Sequence, residues 1–103
     1  MKAVTSEELE TMMSNGEKIL LDFYADWCGP CKSLIPRLES MEPNYQNVKF
    51  VKLNVDENQS YAIKNGIRSI PTVMFLNGHK QINTSTGLQS DNFYKDILTE
   101  LNS

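Results

Sequence analysis

The run Asp26-Trp27-Cys28-Gly29-Pro30-Cys31-Lys32 holds the chain's two cysteines, and it lies where a strongly apolar segment gives way to a helical pattern. Two thiols at that spacing can exchange a disulfide. Residues three apart at a helix start share one face, so the two sulfurs can meet with little backbone movement. The same placement puts Cys28 near the helix N-cap, where unpaired N–H groups and the positive end of the helix dipole favour thiolate over thiol. A lowered pKa and raised reactivity are therefore expected at Cys28. Cys31, one turn further in, is expected to be the less accessible thiol.

Three other readings of the pair are weaker. A purely structural disulfide closing so short a loop contributes roughly 2 kcal/mol in the chain-entropy formula, against about 3 for a fifteen-residue loop. Zinc would use a Cys-x2-Cys pair as half of its ligand set, but the other half is missing: there is no third cysteine, and the one histidine, His79, follows Asn77-Gly78 in a predicted hairpin turn. Two unrelated thiols would not need this spacing. A redox couple is the reading that uses all of it.

Other residues near the pair each carry two readings. Asp22 interrupts an otherwise apolar run, where desolvation should raise its pKa and let it accept a proton from Cys31; alternatively it is a structural carboxyl with a partner. Trp27 is either a core aromatic or a partly exposed contact surface beside a reactive thiol. Pro71 after Ile70 is compatible with an ordinary strand start. Lys52 alternates outward in its strand and is by default a solvated charge. The methionines read as gap-fillers in the core.

These residues need elements to hold them. Thr5 to Glu8 fits a capping box, opening a short helix with Leu9, Met12 and Met13 on one face and Gly16 at its end. Ile19-Leu20-Leu21-Asp22-Phe23-Tyr24 has the nearly continuous apolar pattern of a central strand covered on both faces. A second helix is expected from the cysteines to about Met41, with Pro30 tolerated in its first turn, a kink at Pro36 and a stop at Pro43. Val48 to Val55 reads as a strand, followed by a short helix carrying Tyr61, Ala62 and Ile63 and ending at Gly66. Thr72 to Leu76, the turn Asn77-Gly78 and a weaker strand from Gln81 to Thr84 form a predicted antiparallel hairpin. Ser90 caps a last helix whose stripe of Phe93, Tyr94, Ile97, Leu98 and Leu101 faces the core. The order is βαβαβα followed by ββα, an α/β class with a central mixed sheet of five strands and four helices, all within a single domain spanning 1–103.

A chain of 103 residues with 40% hydrophobic content is long enough to bury a core of its own. Its net charge of −3, with ten basic residues scattered, offers no basic stripe for nucleic acid and no polybasic patch for a membrane. Met1 to Glu8 contains no apolar signal core, and no run approaches the roughly 20 apolar residues of a membrane span. The chain is read as soluble and cytoplasmic; a processed secretory form would look the same.

From about Glu17 to the last helix the sequence resembles a thioredoxin. Trp27-Cys28-Gly29-Pro30-Cys31-Lys32 is similar to that family's active-site signature, Asp22 matches its buried acid, and Lys52 matches the neighbouring lysine. Gly66-Ile67-Arg68-Ser69-Ile70-Pro71-Thr72 resembles its cis-proline loop, and Asn77-Gly78 and Gly87 fall at its later glycines. The resemblance implies the thioredoxin fold, protein disulfide reductase activity through Cys28 and Cys31, and catalytic support from Asp22 with Lys52 as its partner. It also implies a substrate surface of Trp27, Gly29, Pro30, Ile70, Pro71 and Gly87, where a cis bond exposes the Ile70 backbone to pair with an extended segment. No bound cofactor is expected. A thioredoxin reductase drawing on NADPH would re-reduce the pair, with disulfide-containing proteins as the other partners and a monomer as the working form.

Several positions depart from the family pattern. Tyr24 stands where many thioredoxins have tryptophan, and Thr84-Ser85-Thr86 is polar where a hydrophobic residue is usual, which bears on partner choice more than on chemistry. Pro43 suggests an early helix end, and the N-terminal segment is slightly short. Two other functions compete with the reductase: a redox-independent binding module or scaffold subunit, and a thiol oxidase or isomerase of an oxidising compartment. The intact cysteine pair disfavours the first; Gly29-Pro30 and the lack of a signal segment disfavour the second.

Overall fold

The apolar run from Ile19 to Phe23 becomes the middle strand of a five-stranded sheet, with a strand on either side and a helical layer on either face. The computed structural model describes residues 1–103. In chain order the elements are strand β1 (Lys2–Ala3), helix α1 (Ser6–Ser14), β2 (Lys18–Tyr24), α2 (Gly29–Met41), a 3-10 turn (Glu42–Asn44), β3 (Lys49–Asn54), α3 (Gln59–Lys64), β4 (Thr72–Asn77), β5 (Lys80–Thr86) and α4 (Asp91–Asn102). The sheet order is β1-β3-β2-β4-β5, with β1, β3 and β2 parallel and β4 and β5 antiparallel to their neighbours. This is the thioredoxin fold.

Side-chain alternation along β2 divides the core into two layers. Leu20 points to the side packed by Leu34 and Leu38 of α2 and Tyr94 and Leu98 of α4. Ile19, Leu21 and Phe23 point to the other side, against Leu9 and Met13 of α1, with Tyr61 of α3 at the margin. Asp22 shares the parity of Leu20, so its carboxyl enters the layer beneath α2 and α4. Lys52, Asp22, Val73 and Ser85 lie in one row across β3, β2, β4 and β5.

The termini of the helices follow from local sequence. Thr5 accepts the Glu8 N–H and Glu8 accepts the Thr5 N–H, completing the capping box, and Ser90 caps α4 through the Phe93 N–H. The α-helix containing Pro36 ends at Met41, and Pro43 falls in the 3-10 turn that follows.

Other expectations are refined. The opening strand, for which periodicity offered no residues, is only two residues long and is held to β3 by pairing of Lys2 with Val51 and Ala3 with Lys52. So short an element has no pattern to read. The weak strand is longer than expected, Lys80–Thr86, because it follows β4 as an edge with most side chains in water, and Ile82 forms a bulge where the register shifts. On α3, Ala62 is buried and Ile63 is exposed.

Candidate active site

Cys28 is the N-cap of α2, in extended backbone conformation, and Pro30 occupies the first turn, where its missing N–H would have been an orphan in any case. Cys28 and Cys31 are joined in a disulfide. Sγ of Cys28 accepts the backbone N–H of Cys31 at 3.2 Å, the N-cap contact that would stabilise a thiolate at the same place after reduction. The order of accessibility is as expected but the gap is small: Cys28 is 3% exposed and Cys31 0%. Gly29 and Pro30 are exposed between them. Approach to the pair is thus confined to the side of Cys28.

That side is completed by the loop before β4. The Ile70-Pro71 peptide bond is cis, and the Ile70 carbonyl oxygen lies 3.8 Å from Cys28 Sγ. Neither the N–H nor the carbonyl of Ile70 is engaged in a backbone hydrogen bond. Pro71, by contrast, is buried and tied down, its carbonyl accepting the Gly87 N–H at 2.8 Å. Gly87 reaches it with φ of +79°, a conformation that costs other L-residues about 1–2 kcal/mol. Thr72 braces the other flank through its hydroxyl, which donates to the Ser69 carbonyl at 2.7 Å.

Trp27 is 69% exposed, yet its indole is not loose: Nε1 donates to Asp56 Oδ2 at 2.8 Å. Asp56 is presented by a turn in which Asn54 Oδ1 accepts the Asp56 N–H at 2.9 Å. No motif in the sequence singles out Asp56 as a partner for Trp27. Trp27 forms with Val55, Ile67, Arg68, Ser69 and Ile70 a groove of about 360 Å³ next to the cysteines.

Asp22, near the end of β2, is wholly buried, and neither of its carboxyl oxygens has a hydrogen-bond partner in the protein. Burial pushes its pKa up from 3.8 to about 7, while the Lys52 ammonium pulls in the opposite direction. Lys52 is the β3 residue in register with Asp22 but forms no ion pair with it; its ammonium sits 5.2 Å from the centre of the Tyr24 ring. It is half-buried on the α2 side rather than free in water. Tyr24 in turn packs against the cluster of Ala25, Cys28 and Cys31. His79 is far from this site, at the other end of β4 and bonded to Glu10 at 3.1 Å. No cluster of three or more His, Cys, Asp or Glu side chains is arranged to hold a metal, and no helix is long and apolar enough to cross a membrane.

Comparison with known proteins gives one family. The family model described as Thioredoxin matches residues 1–100. A thioredoxin of Rickettsia prowazekii is 44% identical over 83 residues, 80% of this chain and 79% of the relative. A thioredoxin of Mycoplasmoides gallisepticum is 38% identical over 99 residues, covering 95% and 99%. Among solved structures, a mutant thioredoxin from Halobacterium salinarum NRC-1 superposes with a TM-score of 0.88 at 34% identity, over 99% of this chain and 90% of that one.

Proposed function

The chain belongs to the thioredoxin family and is a thiol-disulfide reductase, and we propose that Cys28 is its attacking thiol, Cys31 its resolving thiol and Asp22 the acceptor of the Cys31 proton. The observation that carries this assignment is the position of Cys28: an N-cap sulfur on an N–H donor, facing the free backbone of Ile70.

The reaction follows in two exchanges. The Cys28 thiolate attacks one sulfur of a substrate disulfide; that bond breaks, a mixed disulfide to Cys28 forms, and the first substrate sulfur leaves as a thiolate that takes a proton from water. Cys31 then loses its proton and attacks Cys28 Sγ, closing the Cys28–Cys31 disulfide and releasing the second substrate sulfur. Two electrons have passed from the dithiol to the substrate. A carboxyl with a pKa of about 7 is half ionised at neutral pH, so it can take up the Cys31 proton and give it back, and it lies in the layer that α2 covers. Lys52, in register with Asp22, pulls this equilibrium toward the ionised carboxylate. Trp27, Gly29, Pro30, Ile70, Pro71 and Gly87 supply the docking surface, where an extended substrate segment pairs with the Ile70 backbone as an added strand.

The whole of 1–103 acts as one domain in this reading, as a monomer. A thioredoxin reductase fed by NADPH returns the disulfide to the dithiol, and the cytoplasm, where thiols are kept reduced, is the setting this electron flow needs. Trapping tests the assignment. Cys31→Ser should accumulate substrate proteins on Cys28 as larger bands on non-reducing gels, released by reductant, while Cys28→Ser should trap nothing. Adducts through Cys31 in the Cys28→Ser variant, and none in the other, would reverse the roles. Full biological rescue by a variant lacking both thiols would favour a scaffold instead.

A further inference from the structure

The segment that follows Gly87 is held from beneath by a polar cluster that the reaction does not use. Arg37, on α2, is 30% exposed, and its guanidinium donates through Nε to Asp91 Oδ1 at 2.8 Å and through Nη2 to the Gln89 carbonyl at 2.5 Å. It lies 5.9 Å from the centre of the Tyr94 ring. Tyr94 is fully buried, and its hydroxyl accepts the Gln89 N–H at 3.1 Å. Both backbone groups of Gln89 are therefore fixed by side chains, one from each of two helices. The Gln89 side chain donates to the Thr86 carbonyl at 3.1 Å, and Gly87 holds Pro71. The chain of contacts runs from α2 to the cis-proline loop without a gap.

This arrangement is more than a helix cap, since Ser90 already caps α4. A planar guanidinium can serve a carbonyl and a carboxylate at once, which a lysine ammonium on a flexible stem does poorly. What the cluster presents is Leu88, 45% exposed between the fixed residues Gly87 and Gln89. Trp27 is anchored toward β3 through Asp56, whereas Leu88 follows β5 beyond Pro71. In the strand order β3-β2-β4-β5, the loops that carry Cys28 after β2 and Ile70 before β4 fall between those that carry Asp56 and Leu88. An extended segment pairing with Ile70 has side chains to either side of its axis, and an apolar one has a fixed surface to meet on each flank.

We propose that Arg37 is a positioning residue for substrate: by fixing Gly87–Gln89 it makes Leu88 the second wall of the docking cleft, and selects disulfides flanked by an extended segment with an apolar side chain. This rests on the assignment of Cys28 and the Ile70 loop as the reactive face.

The test uses pre-reduced protein in single turnover against two probes, a disulfide-bridged peptide with a leucine flanking its cysteine and a small aromatic disulfide that has no flanking segment. Arg37→Met should lower the ratio of the peptide rate constant to the small-disulfide rate constant roughly tenfold, because a loosened wall must be ordered on binding. The loss should appear in the half-saturating peptide concentration rather than in the plateau rate, with an unchanged reduction potential against glutathione. Arg37→Lys should give a smaller drop in the same ratio, and it stands in should the methionine variant not fold. Leu88→Ser, which leaves the cluster intact, should reproduce the peptide-selective loss. An unchanged ratio, or an equal loss on both probes, overturns the proposal while leaving the reductase assignment in place. A wild-type protein that reduces neither probe overturns both.

Discussion

Asp22→Asn turns the buried carboxyl into a measurement of its own desolvation. The carboxyl titrates near 7 in the folded chain against 3.8 as a free side chain, because burial disfavours its charge and no hydrogen bond offsets that cost. Its folded pKa lies above the unfolded one. The stability it contributes is then fully present below about pH 4, is lost as pH rises through the window up to about 7, and stays lost above it. In that window the native chain holds a proton that the unfolded chain has released. A separation of about three pH units at about 1.4 kcal/mol each makes the loss about 4 kcal/mol, more than half of which falls between pH 5 and pH 8. Asparagine cannot ionise, so the variant lacks this slope.

The assay is urea unfolding of both oxidised proteins at several pH values across that range. In the oxidised state the cysteines do not titrate, and the groups common to both proteins cancel in the difference. The variant should gain on the wild type by about 2 to 3 kcal/mol from pH 5 to pH 8, whatever offset the amide introduces. Stability curves that run parallel would refute the reasoning, since they would mean the carboxyl is charged in the fold with little penalty. On the reduced proteins, the same substitution should slow closure of the mixed disulfide and flatten its pH dependence, leaving the first attack intact.

Three further outcomes are expected. In the reduced protein, iodoacetamide should modify Cys28 well before Cys31 near neutral pH, with a rate profile whose midpoint lies below about 8.5, the ordinary thiol value; equal rates would remove the N-cap argument. Asp56→Ala should release the indole of Trp27, the one tryptophan in the chain, seen as a fall in its fluorescence anisotropy and slower reduction of protein disulfides, and unchanged anisotropy would mean the Trp27–Asp56 bond does not hold the ring. Thr5→Ala should lower the unfolding free energy by about 1 kcal/mol without changing the exchange rates, because it opens the α1 capping box on the side away from the cysteines; a change in the rates would tie α1 to the site.

Much of the fold was legible because it rests on local rules. The apolar run of β2, the capping box at Thr5, the stripe on α4 and the glycine turn of the hairpin each follow from sequence neighbours a few residues apart. The cysteine chemistry was legible for the same reason: Cys28 and Cys31 meet through one turn of helix, and the N-cap donor that faces Cys28 belongs to Cys31 itself. Asp22 announced itself as a carboxyl in an apolar run.

Contacts between distant segments were not legible, because no periodicity links them. Pairing of Trp27 with Asp56, of Gly87 with Pro71, and of Arg37 with Gln89 depends on which strand lies beside which, and the crossover that places β3 and β4 on either side of β2 decides it. The same holds for Lys52, whose alternation suggested water but whose strand, once set beside β2, leaves it half-buried with its ammonium over Tyr24. Tyr94 read as plain core, and its hydroxyl found a task only after α4 had docked next to Gln89. Local sequence determines which groups can react; the tertiary structure determines their surroundings, because desolvation and backbone access arise only when distant segments close over a site.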